Sequence, residues 1–386
     1  MNILYFFWDE FNGEDCQHAL KELGNDVKAV HFPLSNTDFD DSFEEKMIAE
    51  LGRGYDCVFS FNYFPIISRI CDSLSVPYIS WVYDCPHLPL NSITINNSVN
   101  HIYLFDRVLC RRLRETGINT IHHCPLAVNS ARLNEFCLEL DKGSPVIYEH
   151  DISFLGNLYD NEFNFYDQIS YLPEQLREYI ETLINTQSKI FGIDLFSDEK
   201  IFPDFILREL HNYIRFEKSG NYNMDYDQII RDILRRKVTV IDRRKILTFL
   251  GKSYNTVLYS TSDAKPIENV PNLGLADYMN KMPRVFHRSR INLNITLRSI
   301  ISGIPLRVLD ILAAGGFLIT DFREEIAEHF INGEDVIFYS TAEELHDKCG
   351  WFLSHDKERK KIAVNGMNKC RENFDYKKIL PEILKI

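Results

Sequence analysis

Short apolar runs alternate with stretches of helical periodicity along the first third of the chain. The apolar runs predict buried strands over Met1–Trp8, Val27–Phe32, Cys57–Phe61, Pro77–Tyr83, Tyr103–Phe105 and Thr120–His123. The segments between them predict helices over Glu14–Leu23, Ile66–Leu74 and Arg107–Gly117. Alternating βαβ units of this length predict a parallel, doubly wound sheet, which we assign to a first domain of residues 1–127.

A second sheet is predicted in residues 128–370, after a linker at Pro125–Asn129. Its strands are expected at Asp151–Gly156, Asn255–Ser260, Ile291–Ile295, Phe317–Thr320 and Val336–Tyr339. Its helices are expected at Pro305–Ala314, with Pro in the first turn, at Glu324–Ile331, after a capping box at Ser340–Glu343, and at Asp356–Cys370. Residues 162–247 are charged, helical and poor in strands, which predicts a helical insertion. Residues 371–386 are expected to pack back on the first domain.

The composition restricts the class of protein. A length of 386 residues suits two domains, and the net charge of −13 argues against nucleic acid as a partner. Basic runs such as Arg235–Lys237 and Arg243–Lys245 are interpreted as solvated helix faces. No apolar run approaches the length of a membrane span, the N-terminus lacks the basic region of a signal peptide, and nine cysteines show no C-x-x-C pair. We therefore expect a soluble cytoplasmic protein with reduced thiols and no integral membrane segment.

The segment Leu297–Arg307 has the pattern of an anion-binding turn. A strand enters, Gly303 leaves the backbone open, and a helix starts near Pro305, so free N–H groups and the helix dipole favour a phosphate. Arg298 and Arg307 flank the turn and can make charge-assisted bonds to phosphate oxygens. Asp310, one turn inside the helix, can accept the hydrogen bonds of a ribose diol. The set therefore predicts a nucleotide diphosphate site.

The strand ends of the first domain carry the candidate acid–base groups. Ligands of doubly wound sheets bind beyond the carboxyl ends of the strands, where Asp84 and His87 follow one strand and Asn62 another. Asp84, partly shielded by its aromatic neighbours, is a candidate general base, and Asn62 a candidate hydrogen-bonding partner of a bound ligand. A turn-capping Asp and a polar turn His are the structural alternatives.

The sequence lacks the motifs of several known enzyme classes. The chain contains no H-E-x-x-H, G-x-S-x-G, Walker or G-x-G-x-x-G sequence, so hydrolase, P-loop ATPase and dehydrogenase activities are disfavoured. No Asp-x-Asp motif lies in a suitable strand–helix context. We therefore expect no cofactor and no metal ligands.

The run from Ile291 through Arg298–Asp310 to Asp321, with Asn332–Asp335, resembles the C-terminal domain of spore-maturation-type bacterial glycosyltransferases. Ile152–Asn157, Gly274–Tyr278 and, in the first domain, Tyr78–His87 fit the same pattern. The resemblance implies a GT-B fold of two facing Rossmann-like domains and a nucleotide-sugar donor, with UDP-sugar favoured and the acceptor, a protein or a glycan, undetermined. It places the donor against Gly156, Asn157, Gly274, Arg298, Ser302, Gly303, Ile304, Pro305, Arg307 and Asp310.

One position departs from the family pattern. In the wider retaining GT-B group an E-x7-E motif spans this turn and helix; its second acid, which binds ribose, falls on Asp310, and its first falls on Ser302. Sugar identity and stereochemistry therefore stay open. Two other functions also stay open: a nucleotide-sugar epimerase of the same shape, and a degenerate transferase that acts as an assembly or coat component.

Overall fold

The first domain is built on a six-stranded parallel sheet. A computed structural model describes residues 1–162, 164–216 and 220–385; Phe163 and residues 217–219 of the predicted insertion, and Ile386 of the predicted C-terminal segment, lie outside the described residues. The strands are β1 (Asn2–Phe6), β2 (Asp26–Val30), β3 (Cys57–Phe61), β4 (Tyr78–Val82), β5 (Asn100–Leu104) and β6 (Ile121–His123), in the order β2-β1-β3-β4-β5-β6. The helices are α1 (Gly13–Glu22), α2 (Asp41–Leu51), α3 (Pro65–Leu74) and α4 (Arg107–Glu115).

The second domain contains a five-stranded parallel sheet. Its strands are β7 (His150–Leu155), β8 (Thr256–Tyr259), β9 (Ser289–Asn294), β10 (Leu318–Asp321) and β11 (Ile337–Tyr339), in the order β11-β10-β9-β7-β8. The helices around it are α5 (Ser130–Asp141), α9 (Lys281–Arg288), α10 (Leu306–Ala313), α11 (Glu324–His329) and α12 (Ala342–Ser354). The predicted fold class, GT-B with two Rossmann-like sheets, is confirmed.

A helical insertion separates β7 from β8. It contains α6 (Glu174–Gln187), α7 (Asp204–Leu210) and the long α8 (Tyr226–Gly251), and it has an apolar core of its own. Short 3-10 helices lie at Leu88–Asn91, Ile93–Asn96, Phe165–Gln168 and Leu195–Ser197. Within the described ranges, every helix is too short or too polar to cross a bilayer.

The last two helices connect the domains. Helix α13 (Asp356–Phe374) packs on α10, and α14 (Tyr376–Ile383) packs on α1 of the first domain. The hydroxyl of Tyr103 donates to the carbonyl of Ile383 at 3.1 Å, and Asn12 donates to the hydroxyl of Tyr376 at 3.2 Å. The C-terminal segment therefore lies against the first domain.

Two helix starts differ from the sequence prediction. Pro305 has ψ 143°, so it is the residue before α10 rather than part of its first turn. The capping box before α12 lies one residue later than predicted: Thr341 accepts from the amide of Glu344, whose carboxylate accepts from the amide of Ser340. Both shifts arise because a capping residue must have extended backbone, which the sequence pattern does not place to the residue.

Candidate functional site

The loops after strands β4 and β5 of the first domain contact the loop after β9 of the second. The thiol of Cys85 donates to the carbonyl of Ser299 at 3.2 Å, and Asp106 reaches the turn at residues 301–303. The carboxyl ends of the two parallel sheets thus meet at one interface, which is where ligands of such sheets bind.

The predicted anion-binding turn holds an anion of the protein itself. The carboxylate of Asp106 accepts from the amides of Ile301, Ser302 and Gly303 at 2.6, 2.9 and 3.2 Å, and from the Ser302 hydroxyl at 3.0 Å. A side chain at Gly303 would overlap the carbonyl oxygen of Phe105. The sequence correctly indicated a nest of free N–H groups, but in this conformation a buried carboxylate of the first domain occupies it.

Further ionic contacts surround this turn. The hydroxyl of Ser302 lies 3.0 Å from Asp106 and 2.7 Å from Glu325, so its single proton is donated to one of these carboxylates at a time. The other oxygen of Glu325 lies 2.7 Å from Nε2 of His123. Arg107 contacts Glu328 at 2.5 Å. Ser302 is therefore buried in the domain interface.

Arg298 forms a buried ion pair with Asp242. Its Nε donates to Asp242 of α8 at 2.7 Å, its Nη1 donates to the carbonyl of Ile190 at 2.8 Å, and its guanidinium lies 4.3 Å from the ring centroid of Phe191. Burial raises the pKa of Asp242 to about 6, although Arg298 opposes the shift. The predicted role of Arg298 as a free phosphate ligand does not match this arrangement, because its charge is already balanced inside the domain.

Arg243 and Arg307 form an arginine pair beside β7 that is not balanced in this way. Both guanidiniums lie 5.3 Å from the ring centroid of Phe154. Arg243 donates to the carbonyls of Ile295 and Asn157, while Arg307 donates to the side chain of Asn294 at 3.2 Å. Neither has a carboxylate in ion-pair contact within the described part of the chain.

The electrostatics of the arginine pair favour an anion. Burial, and secondly the charge of Arg243, lower the pKa of Arg307 to about 10, and burial lowers the pKa of Arg243. Two adjacent cations with little solvent repel each other, so a bound anion would stabilise them. A side chain at Gly156 would overlap the guanidinium of Arg307, so the glycine at the end of β7 leaves room for the pair.

Arg243 belongs to a basic run that the sequence predicts to be solvated, and the structure places it in the interior. Arg243 is 2% exposed, and Arg235, Thr239 and Asp242 on the same helix are equally buried. Their spacing of 4, 3 and 1 residues places these polar side chains on the face of α8 that also carries Leu234 and Val238. Charged residues at helical positions that face the core were the feature of the sequence that could have identified Arg243 as buried.

Asp310 lies in the middle of α10. It is buried, and Oδ1 accepts from the hydroxyl of Tyr278 at 3.1 Å. Burial raises the pKa of Asp310 to about 7, partly offset by the Tyr278 hydrogen bond and by Arg132, which pairs with Asp15. The predicted contact of Asp310 with a ribose stays a prediction. In this structure its Oδ1 accepts a hydrogen bond from Tyr278.

A buried polar network holds the loop after β9. Asn294, the partner of Arg307, donates to the hydroxyls of Thr296 and Thr320, and Thr296 donates in turn to Asp321 at 2.7 Å. Since each of these groups is satisfied by its neighbour, the network fixes the side chain that positions Arg307.

The remaining donor-side residues predicted from the family resemblance lie in three places. Ile304 and Pro305 are buried before α10, Gly156 and Asn157 follow β7 beside the arginine pair, and Gly274 (φ 78°) lies in the loop after β8. The structure brings Gly156, Asn157 and Arg307 together and gives no direct contact from Gly274 to them.

The candidate acid–base group of the first domain is ordered by Asn62. The amide nitrogen of Asn62 donates to Asp84 at 2.7 Å, and its oxygen accepts from the amides of Tyr83 and Asp84, both at 3.2 Å. Asp84 is exposed, so the predicted shielding by its aromatic neighbours is wrong: Trp81 turns into the core instead.

His87 has a different environment from the one expected of an acid–base group. Its Nε2 accepts from the amide of Tyr63 at 3.1 Å, and burial lowers the pKa of His87, which favours the neutral ring. These contacts support the structural alternative, because the ring nitrogen within reach is already engaged by the backbone.

Comparison with known proteins connects this geometry to a family. A family model described as glycosyl transferase-like matches residues 235–385, which begin in α8 and include the arginine pair. No curated protein sequence matches the chain.

Solved structures extend the similarity to the whole chain. The sucrose-phosphate synthase of Thermosynechococcus elongatus is 10% identical with a TM-score of 0.55, over 99% of this chain and 97% of the other. The T4 phage β-glucosyltransferase is 11% identical with a TM-score of 0.54, over 100% of both chains. HepE of Anabaena, in complex with UDP-glucose, is 9% identical with a TM-score of 0.53, over 99% and 98%. At these identities the likeness shows the fold, which is GT-B.

Proposed function

We propose that this protein transfers a sugar from a nucleoside diphosphate donor to an acceptor hydroxyl, since residues 235–385 match a glycosyl transferase-like family model and the whole chain has the GT-B fold. A UDP-sugar is favoured, because structural neighbours include HepE with UDP-glucose and a β-glucosyltransferase whose substrate is uridine diphosphoglucose.

The arginine pair of Arg243 and Arg307 is the observation that carries the proposal. A nucleoside diphosphate brings the negative charge that these two buried guanidiniums lack. Bound there, at the carboxyl end of β7, it lies beside Gly156, whose missing side chain leaves room for the Arg307 guanidinium. The diphosphate is therefore assigned to the arginine pair rather than to the turn filled by Asp106.

The chemistry follows from that placement. The acceptor oxygen forms a bond to the anomeric carbon while the bond from that carbon to the diphosphate breaks, and the leaving oxygen keeps the electron pair. The arginine pair stabilises the negative charge that develops on the leaving group. The acceptor proton passes to a base of the first domain, for which Asp84 is the exposed and oriented candidate.

Replacing Arg307 by Gln should weaken UDP binding by about 10- to 150-fold, as expected for loss of one charge-assisted contact. Gln retains an N–H donor for Asn294, so the local network is kept. Isothermal titration calorimetry with UDP measures the change. Lys245→Gln, which removes an exposed cation from the same helix as Arg243, is the matched control and should bind like the parent. Equal UDP affinity in the parent and Arg307→Gln would remove the diphosphate from the arginine pair.

We further propose that transfer needs no metal ion, since two guanidiniums can neutralise the diphosphate without one. Hydrolysis of UDP-glucose, measured as the release of UDP, should continue in EDTA at the same rate. A rate that collapses with EDTA and returns with Mg²⁺ or Mn²⁺ would contradict this. Tight UDP binding with neither hydrolysis nor transfer would instead favour the scaffold function, and release of a sugar epimer would favour the epimerase.

A further inference from the structure

A cavity of about 410 Å³ lies between the loop after β4 and the helical insertion. The first domain contributes Pro86 and Leu88, and the insertion contributes mainly apolar side chains, among them Ile169, Phe216, Ile229 and Ile233. The volume is within the range of roughly 300–1,000 Å³ that small-molecule sites occupy. None of the residues assigned to the diphosphate site lines this cavity.

Backbone hydrogen bonds join the insertion to the first domain, one of them at Asn223, next to the lining residue Met224. The amide of Ile93 donates to the carbonyl of Asn221 at 2.9 Å, and the amide of Asn223 donates to the carbonyl of Asn91 at 2.8 Å. The hydroxyl of Tyr222 also donates to Asp38 at 2.8 Å. The insertion is thereby attached to the first domain beside the loop that carries Asp84, and the cavity is built by both domains.

The cavity is lined by parts of two elements that also carry residues of the proposed reaction site. Arg236, which lines it, lies 5.3 Å from the ring centroid of Tyr159, and Arg243 lies 5.2 Å from the same centroid. Pro86, which lines it from the first domain, is two residues from Asp84. The cavity therefore shares the loop after β4 with the candidate base and helix α8 with Arg243.

We propose that the cavity binds the apolar body of the acceptor, so that the acceptor is an aromatic or aliphatic alcohol rather than a free sugar. This inference rests on the proposed function. An apolar wall stabilises a ring or alkyl group by removing it from water, whereas it leaves the hydroxyls of a sugar without partners. Asp232 and Arg236 also line the cavity, and these polar side chains suit the end of the molecule that carries the reacting hydroxyl.

The probe for this proposal is 4-methylumbelliferone, a fluorescent planar aromatic with one hydroxyl. We expect saturable binding by fluorescence anisotropy and, with UDP-glucose present, loss of fluorescence as the hydroxyl is glucosylated. Ile233→Trp, which fills the cavity from a half-buried position on α8, should weaken probe binding at least about 10-fold because the apolar contact area is lost. Ile229→Trp is a second filling variant on the same wall, and Ile147→Trp is the matched control, since Ile147 is 70% exposed elsewhere in the second domain.

Calorimetry with UDP on the same proteins separates this inference from the proposed function. Normal UDP affinity with weakened probe binding in both filling variants supports the acceptor cavity. Normal UDP affinity with no probe binding to the parent, or with equal probe binding in parent and filling variants, overturns it and leaves the proposed function intact. Free glucose competing with the probe at equal affinity would also overturn it. Failure of the parent to bind UDP contradicts the proposed function, whatever the probe does.

Discussion

Asp84→Asn should lower kcat for sugar transfer by about 10²- to 10⁴-fold and leave UDP affinity unchanged, the effect expected for loss of a general base. Asp84 is exposed at the interface between the domains, and Asn62 holds both its carboxylate and its backbone amide. Asn at this position keeps the shape but cannot take a proton from the acceptor. Steady-state kinetics with UDP-glucose and an acceptor, together with calorimetry, measure both quantities.

The stereochemical outcome belongs to the same experiment. A base on the first domain implies inversion at the anomeric carbon, which NMR of the product determines directly. A raised acceptor KM with unchanged kcat would assign Asp84 to orienting the acceptor, as in a retaining transfer where the leaving phosphate takes the proton. Asp9→Asn, an exposed acid after β1 that pairs with His31, is the control and should leave both parameters unchanged.

Arg298→Ala should reduce the free energy of unfolding by about 3–5 kcal/mol at pH 8, because it leaves a buried carboxylate without its partner. Arg298 and Asp242 are 6% and 2% exposed, and each makes its strongest contact with the other. Urea denaturation followed by circular dichroism gives the value. A variant as stable as the parent would show that the ion pair contributes nothing to folding.

The pH dependence of that loss has a definite sign. Burial raises the pKa of Asp242 to about 6 even with Arg298 present, so removing the cation raises this pKa further. A carboxyl group whose pKa is raised in the folded state contributes to the free energy of unfolding at low pH. This contribution is lost as the pH rises through the folded-state pKa. The loss in Arg298→Ala should therefore be smaller at pH 5 than at pH 8. The double variant Arg298→Met with Asp242→Leu should recover most of it, since an apolar pair of similar volume needs no charge balance.

The strands could be predicted because periodicity is a local property. Cys57–Phe61 was predicted to the residue, and most other strands were placed within two residues, since continuous apolar runs mark strands covered on both faces. Gly303 was also singled out correctly as a position where the backbone must be approached closely. The group that approaches it in this structure is the backbone of Phe105, and the predicted phosphate contact stays a prediction.

The rest of the site depends on contacts between distant parts of the chain. Asp106 has the local pattern of a helix cap, and it does accept from the amide of Leu109 at 3.0 Å. Nothing within its own domain indicates that the same carboxylate reaches residues almost 200 positions later. Likewise, Arg243 has the composition of a surface run, and only its position on a buried helix face distinguishes it from its neighbours.

The carboxylate of Asp106 in the turn at residues 301–303 acts as a tethered competitor. It and any external anion exclude each other from the same three amides. Because it belongs to the same chain, it competes at an effective concentration on the order of millimolar rather than at the concentration of a solute. Dilute phosphate therefore leaves the domains joined at this point. Only a ligand that gains further contacts elsewhere can displace the carboxylate, and its binding would then separate the loop after β5 from the loop after β9.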